Sequence, residues 1–361
     1  MSLRICLVAS NRHPVSEPFA GGLEAFTHGL VRSLVARGHE VTLFAEARSD
    51  PALGAEMLVP DRFEVSATAL ADVNAPSREW LHDHHAYLGL MLKLGRGGDW
   101  CGRFDVVHNT SLHHLPVAMA HSIDAPVLTT LHTPPLPWLE SALALSPPDR
   151  GSVFAAVSRF TAASWRHVVR AEVVPNGVDL DRWCPGPGGG PAVWAGRLVA
   201  EKAPHLAIDA CRWIGMPLEL AGPLHDRDYF AREIEPRLGD DIAYAGHLDD
   251  RELAELMGRA AVVVVTPAWD EPFGLVAAEA MACGTPVAAF ARGGLPEVIG
   301  PAGVICRSAD IGALARALES AAQLDRSAVR RHAERTCGLD AMVRRYEAMY
   351  HAVHSEPKSA A

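Results

Sequence analysis

The chain has 361 residues, 49% of them apolar and 21% charged, and a formal net charge of -10. That length exceeds one ordinary core and suggests two domains, while the acidic balance argues against nonspecific nucleic-acid binding. The seven cysteines are scattered, with no CxxC pair, so neither a zinc site nor a disulfide framework follows. Cys6 and Cys283 lie in apolar runs and read as small buried hydrophobes in a reducing compartment. No basic leader with a long apolar core opens the chain, and no run reaches the roughly eighteen apolar residues of a membrane helix, so a cytoplasmic protein is expected.

In chain order, a strand is expected over Leu3 to Ala9, a loop to Gly22, a helix over Leu23 to Arg37 and a strand over Val41 to Ala45. The basic residues and glycine of Ala36-Arg37-Gly38-His39 suit a helix stop. Further strands are expected at Phe63 to Ala67, Asp105 to Asn109, Pro126 to Leu131, Val153 to Val157 and Ala171 to Val174, with helices at Ser77 to Leu94, His113 to Ser122 and Arg159 to Val169. Such alternation implies a parallel, doubly wound sheet with right-handed crossovers. Trp183 to Pro191 reads W-C-P-G-P-G-G-G-P, which suits neither regular element and is the candidate linker between domains.

The pattern then restarts. Strands are expected at Ala192 to Ala195, Leu218 to Ala221, Ile242 to Ala245, Ala261 to Val265 and Val287 to Phe290, and helices at Pro204 to Trp213, Asp226 to Arg237 and Arg251 to Gly258, with another opening near Leu275. After Gly303-Val304-Ile305 come helices near Asp310 to Leu324, Ser327 to Cys337 and Asp340 to Val353, then a tail from Ser355 expected to be disordered. The expectation is two doubly wound α/β domains, residues 1–175 and 176–339, facing each other across a cleft.

The stretch Asp270 to Val287 reads D-E-P-F-G-L-V-A-A-E-A-M-A-C-G-T-P-V. It follows a β-branched apolar run, the strand-to-helix junction at which α/β proteins put ligands. Eight residues of helix rise roughly 12 Å, so Glu271 and Glu279 are too far apart to share a proton. They suit the two ends of an elongated polar ligand, with the amides of Phe273, Gly274 and Leu275 offered to an anion between them. The alternative reading leaves Glu271 as a helix-start carboxylate and gives Glu279 a buried water.

Other residues point to the same place. Gly21 and Gly22, between first strand and first helix, let a phosphate approach the helix N-terminus, although the spacing lacks a full G-x-G-x-x-G. Arg197 and Lys202 follow the first strand of the second half, where two cations suit a diphosphate clamp and an isolated pair also suits a solvated loop. His132 ends a strand, a position that is functional or structural. Asp179-Leu180-Asp181 resembles a metal-binding pair and reads as turn chemistry after Pro175-Asn176-Gly177. His82-Asp83-His84-His85 reads as surface, because adjacent helical side chains point apart.

Taken in order, GGLE near the start, LHTP, AVSRF (Ala156 to Phe160), VVPNGVD (Val173 to Asp179), GRLVAEK, EPFGLVAAEAMACGTPV and GGLPEVI (Gly293 to Ile299) resemble the retaining glycosyltransferases of family 4. That resemblance implies a GT-B fold of two Rossmann-like domains, with the final helix, about residues 340–355, crossing back onto the first. It places Glu271 against the transferred sugar, Glu279 on the nucleotide ribose, Arg197 and Lys202 on the diphosphate, His132 beside the reacting carbon, and Gly21 and Gly22 over the phosphate.

The implied reaction transfers a sugar from a nucleotide diphosphate sugar, UDP-linked first and GDP-linked next, to an acceptor hydroxyl with retention. The resemblance implies no cofactor beyond that co-substrate and no essential metal. A nucleotide-sugar epimerase and a noncatalytic sugar-nucleotide-binding subunit are the alternatives. No nucleic-acid partner and no transmembrane segment are expected; peripheral membrane contact, the acceptor and the oligomeric state stay open.

Overall fold

The structure is a computed structural model and describes residues 1–61, 63–146 and 152–355. Short apolar runs become strands buried on both faces, and the intervening amphipathic stretches become the covering helices. In the first domain, seven parallel strands stand in the order β3-β2-β1-β4-β5-β6-β7: β1 Arg4–Val8, β2 Glu40–Phe44, β3 Glu56–Leu58, β4 Val106–Asn109, β5 Val127–Leu131, β6 Ser152–Ala156 and β7 Glu172–Val173. In the second, six stand in the order β10-β9-β8-β11-β12-β13: β8 Ala192–Ala195, β9 Leu218–Ala221, β10 Ile242–Tyr244, β11 Val263–Val265, β12 Val287–Phe290 and β13 Gly303–Cys306.

Register positions the functional loops. Ile5 lies between Val41 and Val106 in the first sheet, and Val263 between Val193 and Val287 in the second. Each sheet therefore reverses its winding beside its first strand, at β1/β4 and at β8/β11. A doubly wound sheet opens a crevice beyond the carboxyl ends of its strands at such a point. The loops after β1, β4, β8 and β11 thus converge on the space between the domains.

The final helix, Leu339–Ser355, lies on the first sheet. Its Met342, Val343, Tyr346 and Tyr350 share a core with Leu3, Ile5, Leu30 and Leu34. The polar atoms it buries are paired: the two nitrogens of His108 meet Tyr350 Oη at 2.7 Å and Thr130 Oγ1 at 2.8 Å, and Thr130 Oγ1 donates to Tyr346 Oη at 3.1 Å. The two passages of the chain run side by side where Val178 N donates to Cys337 O at 2.7 Å and Leu339 N donates to Val178 O at 3.0 Å. The glycine-rich stretch after Trp183 is not loose. Gly186, Gly188 and Gly190 donate to Cys283, Gly258 and Arg259 carbonyls, laying it as a strap on the second domain.

Several elements differ from expectation. The first sheet's outer strand is Glu56–Leu58, paired with Thr42 to Phe44. The segment expected to be a strand at Phe63 to Ala67 instead leads into a helical turn capped by Ser66, whose Oγ accepts from Ala69 N. The helix expected over His113 to Ser122 shrinks to Leu115–Ala118 plus a 3-10 turn, because Pro116 suits only a first turn. The Asp226 to Arg237 helix carries a π segment at Phe230–Ile234 and a 3-10 turn at Glu235–Arg237 around Pro236. An unexpected helix, Pro137–Leu145, follows β5. The expected tail lies, apart from Ser355, outside the described residues. Cys6 and Cys283 are buried free thiols, as the sequence suggests, and burial pushes both up to about 12.

Candidate active site

The interdomain cleft holds a cavity of about 530 Å³ whose wall includes all ten residues singled out from sequence: Gly21, Gly22, His132, Arg197, Lys202, Glu271, Phe273, Gly274, Leu275 and Glu279. First-domain and second-domain residues meet directly. A Cβ placed on Gly22 would stand 2.9 Å from Leu275 Cδ1, so the start of the first-domain helix lies against the Leu275 side chain.

Glu271 precedes the helix rather than belonging to it. The helix spans Leu275–Ala282 and starts at Gly274, whose φ of +94° a side chain would resist. Helical rise therefore governs only the second half of the interval between the two glutamates, and the 12 Å helical ruler expected from sequence does not apply. What fixes Glu271 is its own backbone: Gly294 N donates to Glu271 O at 2.7 Å. Gly293, at φ +58°, packs so closely that a Cβ would lie 2.1 Å from that oxygen. Gly274 caps the helix without a side-chain hydrogen bond, and the first-turn amides of any helix lack intrahelical acceptors, leaving donors suited to an anion.

The two cations differ in their settings. Lys202 Nζ donates to Glu271 Oε2 at 2.5 Å, both side chains being mostly buried, and it sits 4.9 Å from the centre of the Trp269 ring. Arg197 pairs with Glu201 at 2.8 Å and is more open. Their loop ends at Ala203, a buried non-glycine residue at φ +47°, a conformation that costs roughly 1–2 kcal/mol. Thr266 Oγ1 holds it by donating to the Lys202 and Ala203 carbonyls at 3.2 and 3.0 Å, and accepts from Trp194 Nε1 at 3.2 Å. Strain held in place by neighbours is common where a backbone must present side chains to a ligand.

Glu279 faces the cavity from the apolar Leu275–Ala282 helix. Burial, with a smaller contribution from the Asp250 carboxylate, pushes its carboxyl up to about 8. Burial also lowers His132 to about 3, so its imidazole is neutral. Its ring packs edge-on against Phe26 at 4.6 Å. Buried polar atoms are normally paired, yet His132 Nε2, Asn176 Oδ1 and Trp269 Nε1 have no partner among the described residues. All three residues line this cavity.

Sequence reasoning passed over Asn176, Trp269 and Glu24. Asn176 lies in a stretch it quoted as a turn, and Trp269 directly precedes Asp270. Glu24 is only 5% exposed; burial raises it to about 7, against the pull of Arg197. Its signal was its place in GGLE, three residues beyond the first glycine. The other suspected sites resolve structurally. Asp179 Oδ1 accepts from the backbone amides of Asp181 and Arg182 at 3.1 and 3.3 Å, which is turn chemistry. His82 is exposed, as the sequence suggests, whereas His84 and His85 are half-buried, with His84 stacked on Trp80 and His85 on Phe63. Among the described residues no group of three or more His, Cys, Asp or Glu is arranged to hold a metal ion.

The domains also meet behind the cavity. Ser158 Oγ donates to Pro272 O at 2.6 Å, and Glu297 accepts from Arg159 N at 2.7 Å and Arg159 Nε at 2.8 Å. These contacts join AVSRF and GGLPEVI to the turn that carries Glu271.

Two Rossmann-like domains facing each other across a cleft at their switch points make up the GT-B fold. The chain belongs to glycosyltransferase family 4: the Glycosyltransferase Family 4 model matches residues 20–182 and the Glycosyl transferases group 1 model residues 192–335. It is similar to a glycogen synthase of Mycobacterium tuberculosis, 31% identical, the match covering 88% of this chain and 86% of the relative. It is also similar to a D-inositol 3-phosphate glycosyltransferase of Xylanimonas cellulosilytica, 28% identical over 82% of each. Among solved structures, Anabaena HepE in complex with UDP and glucose shares the fold at a TM-score of 0.74 and 17% identity, covering 97% of this chain and 100% of that one. Among the described residues no helix is long and apolar enough to cross a membrane.

Proposed function

We propose that this glycosyltransferase is a retaining, metal-independent enzyme that moves a hexose from a nucleotide diphosphate sugar, a UDP-sugar first and a GDP-sugar next, to an acceptor hydroxyl in the cytoplasm. The observation that carries the reading is the convergence on one cavity of Arg197, Lys202, Glu271 and Glu279 from the second domain with Gly21, Gly22 and His132 from the first. In this reading a nucleotide sugar lies along the second domain, its ribose at Glu279, its diphosphate at Arg197 and Lys202, and the transferred sugar at Glu271 under the amides of Phe273, Gly274 and Leu275. The UDP and glucose named for HepE make UDP-glucose the first donor to try.

In this reading the acceptor oxygen bonds to the anomeric carbon as the carbon–oxygen bond to the diphosphate breaks on the same face. The departing phosphate oxygen takes the acceptor proton. Charge builds on the diphosphate, and fixed cations aimed at developing charge in a dry site are typically the largest rate contribution. Lys202 and Arg197 supply it, which supports metal independence. His132, held neutral by burial, offers its unpartnered Nε2 to a sugar hydroxyl. Glu271 holds the sugar while positioning Lys202.

The test is a thermal-shift screen of UDP-, GDP-, ADP- and dTDP-glucose in EDTA, followed by NMR of the product anomer. A stabilising shift with a UDP- or GDP-sugar and an α-linked product from an α-linked donor are expected. A β-linked product, or strict dependence on added magnesium or manganese, contradicts the proposal.

A further inference from the structure

Among the described residues, Glu24 is the one carboxyl that the first domain places on the wall of the cavity. It stands in the first turn of helix Gly22–Ala36, whose cap, Gly21, offers no side chain to the free amides. A Cβ on Gly21 would lie 3.4 Å from Glu24 Oε2, so the carboxyl rests against the glycine turn itself. It is 5% exposed. Its own backbone amide donates to it, and among the described residues it has no other hydrogen bond and no ion pair.

A helix start without a capping side chain attracts an anion, and here the chain supplies one from its own first turn. Arg197, held by Glu201 at 2.8 Å, lines the same cavity from the second domain. A diphosphate lying between Arg197 and the glycine turn brings its oxygens up to the Glu24 carboxyl. Two anions in a site that excludes water do not both keep their charge, and one proton held between them turns the conflict into a hydrogen bond. The phosphates of a nucleotide sugar, each bridged or esterified, are far stronger acids than a carboxyl, so the carboxyl is the partner that keeps the proton.

The electrostatics of the wall agree. Burial raises Glu24 to about 7, and Arg197 restrains the rise. A diphosphate that occupies Arg197 lifts this restraint and adds its own repulsion, and both effects favour the protonated carboxyl. His132 on the first-domain wall is neutral, Arg12 and His13 reach the cavity from the loop after β1, and Lys202, Glu271 and Glu279 stand on the second domain. Of these cavity groups, Arg197 is the one whose charge acts on Glu24. On the same helix His28 faces Asp50 at 3.2 Å, and the charges of the final helix meet its far end at Arg37.

We propose that Glu24 contacts the donor diphosphate as a neutral carboxyl, taking one proton from solvent when the nucleotide sugar binds and donating it in a hydrogen bond to a phosphate oxygen. This rests on the transferase reading and deepens it: the first domain's share of diphosphate recognition is coupled to a proton.

The test is calorimetric titration of the full chain, in EDTA and without acceptor, with whichever of UDP-, GDP-, ADP- and dTDP-glucose gives the largest thermal shift. Parent and Glu24→Gln are compared from about pH 6 to 8.5 in two buffers of different ionisation enthalpy. Glutamine copies the shape of the neutral carboxyl, keeps an N–H donor and does not ionise. At about pH 7.5 the parent should take up roughly half a proton or more on binding, and the variant correspondingly less. The ratio of parent to variant Kd should be flat near pH 6 and rise by up to roughly tenfold per pH unit above about 7. A ratio that stays flat across the range, or equal proton uptake by the two proteins, overturns the proposal. So does a folded Glu24→Gln that no longer binds the nucleotide sugar at any pH, since the ionised carboxylate would then be what binding needs. Should Glu24→Gln fail to fold, the parent decides alone: net proton uptake is expected, and none, or release, overturns the proposal. Binding without a Glu24-dependent proton leaves the transferase reading standing, whereas a parent that binds none of the four nucleotide sugars overturns both.

Discussion

Replacing Lys202 by alanine separates a catalytic cation from a structural one. Nζ lies 2.5 Å from Glu271 Oε2, with side-chain exposures of 21% and 14%. Deleting the ammonium strands a mostly buried carboxylate. Breaking a fully buried pair costs about 3–5 kcal/mol, and the residual exposure here lowers the expectation to about 1–3 kcal/mol. The transition state loses more. Removing one donor aimed at developing charge costs about 10²–10³ in kcat, so Lys202→Ala should lose that much turnover while remaining folded. Glu271→Gln removes the stranded charge, so the double variant should be more stable than the two single losses predict, by about 1–2 kcal/mol. Urea titration of the four proteins reads the first quantity, and nucleotide release under saturating donor and acceptor reads the second. Turnover of Lys202→Ala within about threefold of the parent, or additive stability losses, would refute the reasoning.

Other outcomes follow from the same geometry. The carboxyl of Glu279 rises from an ordinary value of 4.5 to about 8 in the fold. Above pH 4.5 the unfolded chain gives up that proton while the folded protein keeps it until about 8. The stability of the parent relative to Glu279→Gln should therefore be highest at low pH and decline as pH rises through that window; a flat or rising difference in Tm against pH contradicts the shift. Gly293→Ala places a Cβ 2.1 Å from Glu271 O at a φ of +58°, so it should lower Tm by several degrees and disturb Glu271 as well, whereas parental Tm and turnover would mean the backbone there is not constrained. Glu297→Ala removes the carboxylate that accepts from Arg159 N and Nε across the domain junction and should cost about 1–2 kcal/mol in urea titration, with no loss of stability arguing that the junction is held by other contacts.

The alternation of apolar runs and amphipathic stretches made both sheets legible, because a strand buried on both faces has to be apolar throughout. Weak edges were not legible: Glu56–Leu58 is three residues long and gains its strand identity only from pairing with β2. Helix Pro137–Leu145 was hidden behind the prolines of the preceding loop. At the site, residues with a local signature could be read, such as Gly21, Arg197 and Glu271. Asn176, Trp269 and Glu24 come to the cavity wall only where two domains close on it, which no local window encodes. The pairing of Lys202 with Glu271 likewise joins residues 69 positions apart. The histidines of helix Arg78–Leu94 misled for a related reason: helical geometry separates neighbours, but residues from other loops arrived to stack on them.

Calorimetric titration of UDP in EDTA, against the parent protein, Arg197→Ala and Glu279→Ala, tests the central claim most directly. Metal-free binding of UDP to the parent and at least roughly tenfold weaker binding to each variant are expected. Equal UDP affinity in all three proteins, or no binding of UDP, GDP, ADP or dTDP to the parent, would contradict it.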